Sequence, residues 1–492
     1  MTVQFTLEET INRKNIFWKT VTCVLLITIC AFLIYFISLA PTVLWGDDAE
    51  LQRFAVLKAS NSGFRNYWLW SIIAHEFTKL PIGDIAWRVN LFCAVFASLT
   101  VGVVFIILFR ILRYPVVVSI VVSIALAISH TFWLHAVRTE VYSFFLFILA
   151  LVVGLLLMWH KNPNLWFLLC AGLVLFSLTF TVHLLATTFI PALIALLIGT
   201  KTKNSKMIYL IAILFIIIGL LPYWIVIQSV NDQSSIFKNV FGLLQLRLIN
   251  IVLWPLFLCY QFILLTPIGI LGLVNFWKSD RTLFLFLFLA FCGNVAFAIF
   301  WNVTDQYVFY LPSYLIFVLF IGKGLTVLYE RFISWKFNFK VVMLMTIALL
   351  PAPIYKITPI ILNKLDINLL SVRTLPYRDN NLFFLYPPKN GYYGARNFGE
   401  TVMKILPPNA AILADWLPQQ TLLYFQEIEL MRNDILIAGT YIQEGQLAWL
   451  VEQSESRPVF MAYNDYHYDI KTIAQVFDIK PFGPIFILEK KL

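Results

Sequence analysis

The chain has 492 residues, 60% hydrophobic, 16% aromatic and 13% charged, with a mean hydropathy of +0.82 and a formal net charge of +10. Soluble domains carry about 25% charged residues, so this composition excludes a soluble protein and leaves a polytopic membrane protein. Residues 362–492 hold 12 Lys+Arg against 14 Asp+Glu, a net of −2, so residues 1–361 carry +12 in short loops between apolar runs; that distribution orients a chain in a bilayer and excludes a nucleic-acid partner.

Apolar runs of about 17–25 residues mark the spans. They begin near Ile16, Ile85, Pro115, Val141, Leu165, His183, Lys206, Leu248, Arg281, Gln306 and Phe339, which predicts about eleven helices. The first run, from Ile16 to Ala40, is longer than a signal-peptide core and reads as a retained span. The stretch from Trp166 to Gly199 must break near Thr181-Val182-His183, since one helix of that length would overrun the bilayer. The run from Leu248 to Trp277 contains Pro255 and Pro267, which predicts a kink or an interfacial segment.

After Leu362 the apolar runs shorten to strand length, at Ala411-Ile412-Leu413 and over 434–438, 458–462 and 484–488. Helix-like stretches alternate with them over 398–405, 419–426, 445–452 and 471–477. This alternation predicts a small α/β domain with a partly parallel sheet. The expected fold is therefore an α-helical polytopic membrane domain over 1–361 and an extracytoplasmic α/β accessory domain over 362–492. The six cysteines, Cys23, Cys30, Cys93, Cys170, Cys259 and Cys292, all lie in apolar runs and show no metal-ligand spacing.

Alternate loops are basic: Arg13/Lys14/Lys19, Arg110/Arg113, Lys161, Lys201/Lys203/Lys206, Lys278/Arg281 and Arg331/Lys336/Lys340. The intervening loops carry Asp47/Asp48/Glu50, Glu140, Asp232 and Asp305. The positive-inside rule puts the N-terminus in the cytoplasm and the acidic loops and C-terminal region on the other side.

Trp45-Gly46-Asp47-Asp48-Ala49-Glu50 follows the first span directly. Charge this close to hydrocarbon is costly unless it faces water, protein or a partner. The cluster is either a solvated turn or a catalytic one. In a helical turn Asp47 and Glu50 share a face and Asp48 diverges from it, so Asp48 is expected to matter least. His135-Ala136-Val137-Arg138-Thr139-Glu140-Val141-Tyr142 joins the third and fourth spans. Arg138 and Glu140 are either a local ion pair or, for Arg138, a bidentate phosphate ligand. Asp305, Gln306 and Tyr307 return a carboxylate and aromatics to the same side, and His183 begins a helix inside the bundle. The spans lack the midplane charges of a coupled transporter, which leaves a lipid-linked sugar transporter as the weaker alternative to an interfacial enzyme.

These residues resemble the GT-C-type polytopic glycosyltransferases related to the lumenal protein O-mannosyltransferase that modifies immunoglobulin-like, plexin-type receptor domains. The resemblance rests on Trp45–Glu50, Gly83-Asp84-Ile85-Ala86-Trp87-Arg88-Val89-Asn90-Leu91, Phe132–Tyr142, the His183 helix start and Asp305–Ser313. It extends to Pro407-Pro408-Asn409-Ala410-Ala411-Ile412-Leu413, Tyr424-Phe425-Gln426-Glu427 and Arg432-Asn433-Asp434-Ile435. Where that family has a His-Pro-Pro-Gly-Tyr-Pro-like turn, this chain reads Asn61-Ser62-Gly63-Phe64-Arg65-Asn66-Tyr67-Trp68.

The resemblance implies a polyprenyl-phosphate-linked sugar donor, mannose in the first instance, and an extracytoplasmic acceptor, a protein Ser/Thr hydroxyl or else a lipid or glycan. It implies Asp47 as base with Glu50 and Asp48 beside it. Arg138, Glu140, Tyr142 and His183 would face the donor, and Arg65, Asp305, Gln306 and Tyr307 would line the acceptor pocket. No cofactor is required; the acidic turn admits a divalent metal, but no ligand spacing demands one. The expected location is a bacterial inner membrane, or the endoplasmic reticulum membrane in a eukaryote.

Overall fold

The computed structural model describes residues 2–58, 67–202, 205–229, 242–331, 336–368, 373–442 and 445–491, with the side chains of 2–16 and 226–229 outside that description. Arg65, Lys203, Asp232 and residues 61–66 of the altered turn lie outside the described residues. Helix α1 (Thr2–Ile37) leads into α2 (Asp47–Leu57), α3 (Trp68–Thr78) and α4 (Ile85–Ile106), which ends in a π-turn at Ile107–Ile111. Then come α5 (Val116–Ala127), α6 (His130–Ala136), α7 (Tyr142–Lys161) and α8 (Trp166–Phe180). Helices α4 and α7 are the most enclosed of these spans, and α1 packs along α4 with one side left apolar and exposed.

All eleven apolar runs are helical among the described residues. Among the described residues seven helices are long and apolar enough to cross a membrane, or nine if two bent pairs each count as one span. Trp166–Phe180 and Leu184–Gly199 are shorter. At 1.5 Å per residue the 15 residues of α8 rise about 22 Å, less than a hydrocarbon core of about 30 Å. The break between them falls where Thr181-Val182-His183 predicts it, and His183 caps the next turn by accepting the Leu185 N–H at 3.0 Å.

One bent pair, Leu248–Phe262 with Leu265–Ser279, turns by 104°. Neither proline makes the bend. Pro255 sits inside an unbroken helix, Pro267 lies in the first turn of the next, and the chain reverses at Ile263 with φ 44°. The other pair, α5 with α6, bends by 66° between Ala127 and His130, which the hydrophobic pattern does not reveal. Helices Leu265–Ser279 and Leu311–Arg331 touch backbone to backbone. A Cβ on Gly272 would lie 1.8 Å from the Phe320 carbonyl oxygen, and one on Gly324 would lie 2.0 Å from that of Ile268. Small residues at such crossings let helices approach within the bilayer.

The C-terminal sheet has strands β1 (Ala411–Ala414), β2 (Leu436–Gly439), β3 (Val459–Met461), β4 (Phe477–Phe482) and β5 (Ile485–Lys490), in the order β2-β1-β3-β5-β4. Strand β1 is parallel to both neighbours, whereas β5 runs antiparallel to β3 and β4. Four of these strands and the alternating helices fall where the sequence places them. Strand β4 is the addition, paired through a hairpin whose turn holds Gly483 at φ 61°. One sheet face packs Ile412 and Phe460 against Phe398, Leu422 and Phe425, and that core continues into Val43, Trp45, Ala49 and Ala86. The acidic turn is thus built onto the sheet as much as onto the bundle.

Candidate active site

Gly46 adopts φ 64°, and helix α2 starts at the next residue, so three carboxylates stand in its first turn. Negative charge is favoured at that end by the helix dipole. The turn needs glycine for its positive φ, and a Cβ there would also displace the end of the Leu417 side chain, 2.5 Å away at Cδ2. Asp47 is half-buried, while Asp48 and Glu50 are buried. The Trp416 indole N–H donates to Asp47 Oδ1 at 2.8 Å. Trp416 opens helix Trp416–Glu427, and Gln420 and Glu427 of that helix hold the Arg53 guanidinium, the latter through both oxygens.

Arg138 meets Asp48 from the opposite side. Its Nε donates to Asp48 Oδ1 at 3.0 Å, its Nη2 donates to Asp48 Oδ2, and Nη2 also reaches Glu140 Oε1 at 3.4 Å. Burial pushes the Asp48 carboxyl up to about 6 even though Arg138 pulls it down. Burial likewise drives Glu140 well above the usual carboxylate range, with Asp48, Asp47 and Asp305 adding to the rise and Arg138 opposing it. Burial alone would lower Arg138, but Asp48 and Glu140 outweigh it and keep it cationic.

A buried amide network locks the two loops together. The Gln52 amide donates to Thr139 Oγ1 at 3.0 Å, the Thr139 hydroxyl donates to Asn90 Oδ1 at 2.6 Å, and the Asn90 amide donates to the Ala40 carbonyl at 3.0 Å. The Ala40 N–H closes the circuit by donating to the Val137 carbonyl at 2.9 Å. The Gly83–Leu91 motif has a structural role here. Asp84 caps α4, accepting from Trp87 N–H at 2.6 Å and from the Thr42 hydroxyl at 2.6 Å, and it also pairs with Arg396 at 3.1 Å.

Two further cations, not singled out from the sequence, stand beside Arg138. The ring of Phe383 has Arg138 Cζ at 5.8 Å, Arg378 Cζ at 5.4 Å and Lys389 Nζ at 5.5 Å from its centroid. Lys389 is buried, its ammonium donating to the carbonyls of Tyr386 and Pro387 and its backbone N–H to Ser38 at the end of α1. Arg378 donates to Asn380 Oδ1 at 2.9 Å and to the Arg373 carbonyl at 2.9 Å. Burial, reinforced by Arg138, holds the Lys389 ammonium well below its ordinary value, and burial with Arg373 and Arg138 lowers Arg378 to about 10. Arg138, Arg378 and Lys389 thus gather around one ring, with Asp48 and Glu140 paired to Arg138. Pro387-Pro388-Lys389 sits in a part of the chain that reads as an accessory domain, and nothing local in the sequence announces that the lysine is buried.

The other expected residues divide. Tyr142 and His183 come together with ring centroids 5.3 Å apart, joined by Tyr67 and Phe309 at 6.2 and 6.1 Å from His183. His183 Nδ1 accepts from the Leu185 N–H, so in the neutral ring Nε2 carries the hydrogen. Tyr307 lies 6.3 Å from the His135 ring and acts on Arg138, and Asp305 acts on Glu140. Gln306 turns away from the site: its amide donates to the Ala298 carbonyl at 2.6 Å and closes the turn onto helix Arg281–Phe300. Among the described residues no three His, Cys, Asp or Glu side chains gather as a metal-binding group.

Residues 67–206 match the family model of the TMEM260 protein O-mannosyl-transferase N-terminal domain. No curated protein sequence matches the chain. Among solved structures, ArnT from Cupriavidus metallidurans bound to undecaprenyl phosphate is similar with a TM-score of 0.59 and 12% identity, covering 94% of this chain and 97% of that one. The apo state of the same protein gives 0.60 at 11% identity over the same shares. The apo oligosaccharyltransferase of Archaeoglobus fulgidus gives 0.52 at 11% identity, covering 85% of this chain and 65% of that one. The solved structures bear on the fold, and the family model bears on the sequence that builds one wall of the site. The chain is a multi-pass membrane glycosyltransferase of the GT-C fold whose residues 67–206 match the protein O-mannosyl-transferase N-terminal domain.

Proposed function

We propose that this chain transfers mannose from a polyprenyl-phosphate carrier to a hydroxyl of an extracytoplasmic protein, a Ser or Thr side chain. The observation that carries the reading is the juxtaposition of a half-buried carboxylate, Asp47, with the cationic pocket of Arg138, Arg378 and Lys389. In this reading the acceptor oxygen attacks the anomeric carbon as Asp47 takes its proton. The bond from that carbon to the phosphate oxygen breaks, and the departing phosphate carries its charge into the three cations. A phosphate is a good leaving group and needs no acid. Glu50 orients the acceptor, and Tyr142 and His183 flank the sugar. Glu140, held toward its neutral form, keeps Arg138 in place without cancelling its charge. Asp305 and Tyr307 line the acceptor side. The acidic turn admits a divalent metal, and no step of this reading requires one.

The test is purified protein with labelled mannosyl polyprenyl phosphate, comparing a Ser/Thr-rich peptide, a free glycan and a lipid hydroxyl as acceptors. Label is expected in the peptide. Transfer only to glycan or lipid would move the acceptor class, and label retained on the carrier with every acceptor would overturn the reading. Donor affinity should fall in Arg138→Ala and in Lys389→Met, and Arg138→Lys should restore it only in part, since a point charge lacks the bidentate fork. Unchanged affinity in all three variants would remove the pocket from the mechanism.

A further inference from the structure

The ends of α4 and α7 away from the acidic turn meet α1 at a second cavity. Helix α4 begins at Ile85, beside Asp84 and Thr42, and α7 begins at Tyr142, beside Glu140. Their far ends are the π-turn Ile107–Ile111 and Lys161. Between these ends and the first turns of the membrane stretch of α1 lies a cavity of about 610 Å³, inside the usual range of about 300–1,000 Å³ for ligand pockets. Its walls are apolar, with Val24 and Leu25 from α1, Ile106 from α4 and Met158 from α7. Its mouth carries Arg110, Arg113 and Lys161, and among the described residues that line it there is no carboxylate.

The local backbone explains why these cations converge. The π-turn rotates Arg110 relative to a continuous α-helix, and such turns are frequent at functional sites. Arg113 adopts φ 59°, a left-handed conformation that turns the chain back over the helix end. The Lys161 ammonium donates to the Ile111 carbonyl and so fastens α7 to the turn. Cations that only set topology need no shared cavity. Here three from two segments, the end of α4 and the end of α7, line one apolar cleft, and basic pockets between transmembrane helices bind anionic lipid headgroups.

We infer that this cleft is a binding site for an anionic phospholipid of the leaflet opposite the reaction site, its phosphate on Arg110, Arg113 and Lys161 and its acyl chain along Val24, Leu25 and Met158. The site is independent of the donor pocket and stands whether or not the transferase reading does.

The test uses the full-length protein purified in detergent, with phosphatidylglycerol, phosphatidylcholine and inorganic phosphate as separate probes, and bound lipid counted by native mass spectrometry. Phosphatidylglycerol should be retained about tenfold or more over phosphatidylcholine, and millimolar inorganic phosphate should not displace it. Each surface cation contributes about fivefold, so Arg110→Gln with Arg113→Gln should lower that retention by at least tenfold. Leu25→Trp, which fills the cleft without touching charge, should lower it as well and covers the case in which the double variant does not fold. Equal retention of the two lipids, displacement by inorganic phosphate, or wild-type retention in the variants that fold would each overturn the assignment.

Discussion

Asp48 gives both carboxylate oxygens to Arg138, whereas Asp47 accepts from Trp416 and keeps part of its surface open. Asp47→Asn preserves size and can still accept from the indole, but it cannot take a proton. Turnover should therefore fall about 10²–10⁴-fold while donor binding persists, which separate kinetic and binding assays would read; full turnover would leave the turn with no catalytic part. The sequence ordered Asp48 as the least important of the three acids because its side chain diverges from the Asp47 face. It does diverge, but onto a buried arginine. Asp48→Asn keeps the size of the side chain but removes the charge that holds the Arg138 fork, so it should cost donor affinity through the loss of Arg138 positioning.

The Asp48 carboxyl also sets a pH dependence. Its value rises from 3.8 in the unfolded chain to about 6 in the fold, because burial disfavours the charged form. The folded state therefore binds the proton more tightly between these values. The associated stability is complete below pH about 4 and is lost as pH rises through about 6. The ionised clamp on Arg138 forms over the same window, so donor binding should gain an acid limb centred near pH 6. Asp48→Asn should abolish that limb in a pH series of donor affinity, and a limb of unchanged position in the variant would assign it to another group.

Among the elements, the broken segments separate what pattern reveals from what it hides. The interruption at Thr181-Val182-His183 is legible because one helix there would be too long for the bilayer. The 104° reversal at Ile263 is not, because its left-handed φ falls on an isoleucine in an apolar run while both nearby prolines sit quietly in helices. The backbone contact at Gly272 and Gly324 is likewise invisible in a span that reads as uniformly apolar. Gly272→Leu would drive side-chain atoms into the Phe320 carbonyl. It should lower the melting temperature or abolish detergent-stable expression, and a surface Gly391→Leu change, with nothing within 4 Å of its Cβ, should not. Equal stability of the two variants would show that the helices separate freely.

On the scale of the whole molecule, the C-terminal region does more than cover the mouth. Trp416 holds Asp47, Glu427 holds Arg53, Arg396 holds Asp84, and Lys389 and Arg378 stand beside Arg138. The acidic turn, the 137–141 loop and the sheet region therefore share one side of the bundle, and the basic loop ends lie on the other. With the N-terminus cytoplasmic by the positive-inside rule, a cysteine at Tyr441, 89% exposed, should react with an impermeant reagent added outside intact cells. Reaction only after the cytoplasmic side is opened would invert the orientation.

Membrane class, the helical runs, four of the five strands and the two loops that carry the acids and Arg138 could all be read from residue order, because hydropathy, periodicity and clustered charge are local properties. Which carboxylate is clamped and which stays open, the turning away of Gln306 onto helix Arg281–Phe300, and the meeting of Lys389 and Arg378 with Arg138 across some 250 residues of chain were decided only on folding. Burial and pairing depend on what other segments bring to a side chain, and no local pattern encodes that.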